Sequence, residues 1–261
     1  MGVPLKNPPV YFTVAQVKFN AVLKLSEFLP TIQEQFRLNG YPDYQPGKFM
    51  VFDLIFGNDA KPVPNQHIQE VHAFRNVEKT VSFVLETEKL TLQSTSYGRF
   101  EDFSVQFLKG MAIVHDAVNL EFVDRVGMRY LDRVWPASDD RLEDYLVPEA
   151  RALSSVAAGI PLRSMCEALN KFGDIQVLSR VLTLDSALAF PPDMNPGDMA
   201  IDPRLSAFNG RHAILDFDGF REGRESFSAE SVGKHLTTIH EHITKAFHAT
   251  VTPHAMTVWN Q

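Results

Sequence analysis

Arg125, Arg129 and Arg133 recur every four residues in FVDRVGMRYLDRV, residues 122–134, and the alternation of that stretch predicts a strand. Period-two geometry puts the three guanidiniums on one face around Gly127, with Phe122, Val126, Met128 and Tyr130 on the other. Adjacent guanidiniums stand ~13 Å apart along a strand, so they cannot close on one anion together but can line a groove. A phosphate, a carboxylate or an acidic peptide would suit such a groove, because arginine takes these groups through paired hydrogen bonds. The competing use is internal: charges on a solvated sheet face commonly pair across strands, and Glu86, Asp185, Asp216 and Asp218 are the acids available.

A second cluster lies in HAILDFDGF, where His212, Asp216 and Asp218 share one face while Leu215 and Phe217 point the other way. Two carboxylates and an imidazole could hold Mg²⁺ or Mn²⁺ for hydrolysis, although no third carboxylate is fixed nearby. The histidines of the last helix, His235, His240, His242 and His248, do not form a zinc motif: H-E-H at 240–242 has threonine at position 244 where the second ligand would stand. They read as exposed or capping residues. Cys166 sits among Met165, Ala168 and Leu169, which favours a buried, inert thiol. YGRF at 97–100 could receive an anion at a helix start, but reads more simply as a turn with a core aromatic. No nucleophile elbow, phosphate loop or dinucleotide fingerprint is present, and no cofactor is implied.

The elements that must position these groups are legible from periodicity. VYFTVAQVKF, KFMVFDLIF, the hairpin VSFVLET and KLTLQSTSY, and residues 122–134 predict strands. A helix capped by Ser26 runs to Gly40, and a second spans RFEDFSVQFLKGMAIVHDAV with Phe100, Phe103, Phe107, Met111 and Val114 along one stripe and Gly110 as a weak point. Residues 141–173 look helical, with SMCEALNKF in their second segment. IQVLSRVLTLDS and HAILDFDGF then predict strands, followed by a helix from about Ser228 to His248 and a terminal strand ending near Trp259. The expected class is α+β, a mainly antiparallel sheet covered by amphipathic helices. One compact unit over 1–261 is expected, with halves 1–140 and 141–261 each running strand, strand, helix, strand. The joining loop at 187–210 holds four prolines and two methionines expected at the surface, and long loops of this kind are either binding lids or disordered insertions.

Composition sets the outer bounds. Apolar residues at 44% and charged residues at 22% fit a globular chain, and 20 phenylalanines predict a core of flat side chains between sheet and helices. A net charge of −7 argues against whole-surface attraction to nucleic acid. One cysteine, no secretory leader and no apolar run of ~20 residues favour a cytoplasmic protein without a membrane segment.

Four segments, N-P-P-V-Y-F at the start, T-S-Y at 95–97, R-V-G-M-R-Y-L-D-R-V and I-H-E-H-I-T-K-A-F, give the chain its resemblance to a sporadically distributed family of uncharacterised bacterial proteins of similar length. That resemblance implies no catalytic residues; Arg125, Gly127, Arg129 and Tyr130 carry over as matching positions without a role. Its patchy distribution is compatible with mobile genetic islands or phage defence. The functional expectation is a non-enzymatic binding or adaptor protein that recognises a protein partner or an anionic ligand with the arginine face and the 187–210 loop. The alternatives are a metal-assisted hydrolase built on Asp216, Asp218 and His212, and a structural subunit of a larger assembly.

Overall fold

The computed structural model describes residues 5–56, 62–137, 139–155, 162–194 and 196–261. Its order is β1 (Val10–Phe19), α1 (Leu25–Leu38), β2 (Asp43–Phe56), β3 (Pro62–Arg75), β4 (Val81–Glu86), β5 (Lys89–Ser94), α2 (Phe100–Val118) and β6 (Phe122–Val134). Two 3-10 segments, Leu142–Asp144 and Pro148–Ser155, lead to β7 (Arg163–Phe172), β8 (Ile175–Ser186), α3 (Pro203–Ser206), β9 (Gly210–Ser226), α4 (Ala229–Thr250) and α5 (Pro253–Val258). Among the described residues the strands form one nine-stranded sheet, in the order β2-β3-β4-β5-β1-β6-β9-β8-β7, and every neighbouring pair is antiparallel. No described helix is long and apolar enough to cross a membrane.

Helices α1, α2, α4 and α5 cover one face. Phe103, Phe107, Met111 and Val114 of α2 and Val232, Leu236, Ile239 and Ile243 of α4 are buried, as a 3.6-residue stripe facing a sheet requires. Ser228 caps α4 by accepting from the Ser231 amide. Gly110 is the point of closest approach of α2: a Cβ there would come within 2.2 Å of the Phe83 ring. What looked like a helix weakness is therefore the reason the helix can lie on β4. Phe36 of α1 stacks on Phe74 of β3 and tilts against Phe83 of β4, which seats the helix on the sheet.

The opposite face is crossed by the 187–209 connection, here termed the strap. It builds a second, smaller core in which Tyr11, Phe12, Leu131 and Ile214 of the sheet meet Met199 and Leu205, with Phe190 edge-on to Tyr11 and Phe12. Met199, expected at the surface, is buried. Asp202 caps α3 through the Arg204 amide, so part of the strap carries regular structure.

Four local expectations are corrected. SMCEALNKF lies in β7, because the two-residue turn at Gly173 and Asp174 folds it back on β8, and cross-strand pairing overrides the helix propensity of Met, Glu, Ala and Leu. Among the described residues of 141–173 the only helical structure is two short 3-10 segments. The chain ends in α5, opened by Pro253 and capped by Thr252, in place of a terminal strand, so the second half departs from the expected element order. Helix α1 starts at Leu25 without a side-chain cap, and β3, which was not among the expected strands, begins at Pro62.

Candidate ligand site

The register places the expected polar cluster on the strap face: Arg129 lies opposite Asp218, Arg125 opposite Glu222 and Arg180 of β8 opposite Asp216. The three arginines nonetheless do three different things. Arg129 donates to both oxygens of Asp216, at 2.7 and 2.9 Å, and to both oxygens of Asp193 on the strap, at 2.7 and 3.2 Å. Arg180 reaches the same Asp216 carboxylate at 2.8 Å. Burial works against the Arg129 charge, yet the bonds from Asp216 and Asp193 hold its pKa above the ordinary value. Arg133 is fully enclosed, donating to the carbonyls of Leu205 and Phe208 at 2.7 and 2.9 Å with its guanidinium against the Phe208 ring. It fastens the strap and faces no groove.

Arg125 is held more loosely, by a 3.4 Å hydrogen bond to the Gln16 side chain. Its nearest carboxylate oxygens are 3.9 Å away on Asp218 and 3.8 Å away on Glu222, beyond hydrogen-bond length, and its guanidinium folds over Gly127 and the Phe220 ring. It shares a groove of about 280 Å³ with Gln16, Glu86, Thr91, Gln93 and Asp218. The acids there leave little net positive field for a highly charged anion.

His212, Asp216 and Asp218 do share a face, but the first two are engaged elsewhere. His212 is enclosed, its Nδ1 donates to the Gly210 carbonyl, and burial keeps it neutral; the Arg133 guanidinium beside it would repel a cation. Among the described residues no group of three His, Cys, Asp or Glu side chains is placed to hold a metal ion.

The more demanding arrangement is on the helix face. A cavity of about 450 Å³ opens between the N-terminal segment, β6, β9, α4 and α5. Its walls are mostly apolar, formed by Pro8, Pro9, Phe217, Ile243, Phe247 and Met256. The polar groups are Tyr97, Tyr130, Asp132, His240, Thr244 and His248. Even-numbered positions of β6 face the helices, so the strand that sends its arginines to the strap sends Tyr130 and Asp132 here.

Asp132 is 6% exposed and lines this cavity, and no hydrogen bond or ion pair to its carboxyl is found among the described residues. Burial, reinforced by the Asp216 charge through the sheet, pushes its pKa up to about 7. Two residues along the strand, the Tyr130 hydroxyl lies 3.0 Å from the Tyr97 hydroxyl and 2.9 Å from His240 Nδ1. Burial lowers the His240 pKa and pushes that of Tyr97 up to about 12, so at neutral pH the group is uncharged. One consistent assignment has Tyr97 donating to Tyr130 and Tyr130 to the imidazole. His240 stacks on Phe100 with centroids 4.2 Å apart, which fixes the ring. It is neither exposed nor capping, unlike the expectation for the helix histidines, whereas His235 pairs with Glu225 on the surface of the same helix.

The four segments singled out in the sequence meet at this cavity: Pro8, Pro9 and Val10 from the first, Tyr97 from the second, Tyr130 and Asp132 from the third, and His240, Ile243, Thr244 and Phe247 from the fourth. Asp132 and His240 were not singled out as site residues. The available signal was parity, since a carboxylate at an even position of β6 falls among Val126, Met128, Tyr130 and Val134 on the core face. Comparison with family models, curated proteins and solved structures returns no match to this chain.

Proposed function

We propose that this is a binding protein for a small, largely apolar molecule that carries a basic nitrogen, taken up in the helix-face cavity. The observation that carries the reading is Asp132: a carboxyl almost wholly withdrawn from water, directed into a cavity and left without a protein partner. Buried polar groups are nearly always satisfied, and a carboxyl that opens only onto a cavity calls for a partner held in that cavity. A protonated amine supplies the missing charge and hydrogen bonds in a low-dielectric setting, where such a pair is strong. Tyr97 and Tyr130 add aromatic faces that favour a cation, and Phe217, Ile243 and Phe247 would enclose the apolar body.

The test is isothermal titration of n-hexylamine, hexan-1-ol and hexanoate into the protein and into Asp132→Asn at about pH 8, where Asp132 is mostly ionised. Hexylamine is expected to bind best and to lose about tenfold or more in the variant, the usual effect of removing one partner of a buried charge pair. Equal binding of the three probes, or an unchanged hexylamine affinity in Asp132→Asn, would overturn the proposal.

A second reading keeps an anion site at Arg125, and the observation favouring it is that neither neighbouring carboxylate lies within hydrogen-bond distance. Hexanoate binding abolished by Arg125→Ala but untouched by Asp132→Asn would select it.

A further inference from the structure

Among the described residues strand β7 is one end of the sheet, and no further strand pairs with its outer row of backbone N–H and C=O groups. Residues 167–172 are exposed throughout. Of the eight large apolar side chains left exposed among the described residues, four fall in this short stretch: Leu162, Met165, Leu169 and Phe172, at 79, 58, 59 and 44%. Native proteins ordinarily blunt such an edge or pair it.

The sequence of β7 is self-complementary under a two-fold axis. In an antiparallel pair of identical strands, directly opposed residues share a face, so the axis must pass through a residue that meets its own copy. With Leu169 on the axis, Glu167 stands opposite Lys171 of the second copy, and Lys171 opposite its Glu167, on either side of a Leu169 pair. On the other face Phe172 falls opposite Cys166 of the second copy. Registers centred on Ala168 or Asn170 leave both charges without an opposite partner, and one centred on Glu167 sets that carboxylate against itself. Centring on Met165 would match Glu167 with Arg163, but it draws on the part of the strand where Cys166 is held against the Glu149 carbonyl. The Leu169 register uses the exposed part.

We infer that a second copy of this chain occupies the β7 edge, joining two sheets into one continuous sheet through an isologous Leu169-centred interface. Seven residues a side make a small contact, and a micromolar dissociation constant is in keeping with its size.

Sedimentation velocity of the full chain across a concentration series tests this directly. The wild type is expected to dimerise. Lys171→Glu, which sets Glu167 against an acid, should weaken the dimer by about tenfold or more. The double variant Glu167→Lys with Lys171→Glu should restore it, because the pair is merely reversed. In a Cys166→Ser background, Leu169→Cys should cross-link on mild oxidation while Met165→Cys should not, since only the residue on the axis meets its own copy. All five positions are at least partly exposed strand sites, and circular dichroism of each variant checks the fold. A wild type that stays monomeric, a dimer indifferent to Lys171→Glu, or cross-linking through Met165→Cys in place of Leu169→Cys would overturn the inference.

Discussion

Replacing Asp132 by asparagine removes the ionisable group on which the cavity turns, and the effect on stability should change with pH in a defined direction. In the folded chain Asp132 keeps its proton up to about pH 7, because burial and then the Asp216 charge penalise the carboxylate. In the unfolded chain the proton leaves at about pH 4. Between those limits the native state binds more protons, so this group's contribution to stability falls as pH rises through the window and is constant above it. A gap of about three pH units at ~1.4 kcal/mol each sets the full penalty at about 4 kcal/mol. Asparagine cannot ionise and leaves a comparable unpaired polar group. The two proteins should therefore agree within about 1 kcal/mol at acid pH, while the variant leads by about 2–4 kcal/mol above neutrality. Urea unfolding followed by circular dichroism in pH steps measures the difference between them. The buried histidines His212 and His240 act with the opposite sign: their lowered pKa values leave the native state with fewer protons below the ordinary histidine range, so their contribution rises with pH. They are present in both proteins and cancel in the difference. A gap between the two proteins that does not change with pH, or a variant that is the less stable above neutrality, would refute the reasoning.

Arg129→Met should cost about 3 kcal/mol in the same unfolding assay, because it strips the buried Asp216 of one of its two arginines, while Arg125→Ala should stay within about 1 kcal/mol. Gly110→Ala should destabilise by about 1–3 kcal/mol despite alanine's better helix propensity, since the new methyl meets the enclosed Phe83 ring; differential scanning calorimetry of the single variant checks it.

The fold class, most strands, the stripes of α2 and α4 and the bounds of the strap were legible because hydrophobic period is a local property. The elements that escaped are those decided by distant partners. SMCEALNKF has helix formers throughout, and only its pairing with β8 makes it a strand. β3 begins in a segment rich in proline and asparagine and borrows its order from β2 and β4. Parity correctly gathered Arg125, Arg129 and Arg133 on one face with Asp216 and Asp218, but the fate of each depended on where the strap lay down, which no local pattern encodes. The cavity was harder still. Tyr97, Asp132 and His240 come from separate elements, and their meeting is a property of strand order.

Asp132 and Asp216 belong to neighbouring strands of one sheet and point to opposite sides of it: Asp132 stands opposite Leu215, and Asp216 is the next residue along. The Asp216 charge raises the cost of ionising Asp132 across a layer one polypeptide thick, so the sheet acts as a thin dielectric partition. A cation received by Asp132 would relax the repulsion felt by Asp216, whose counter-charges Arg129 and Arg180 help hold Asp193 and with it the strap. Reciprocity then requires that whatever tightens or loosens the strap alters the cavity's hold on a cation by the same free energy. The two faces can exchange information without any backbone movement, through charge alone.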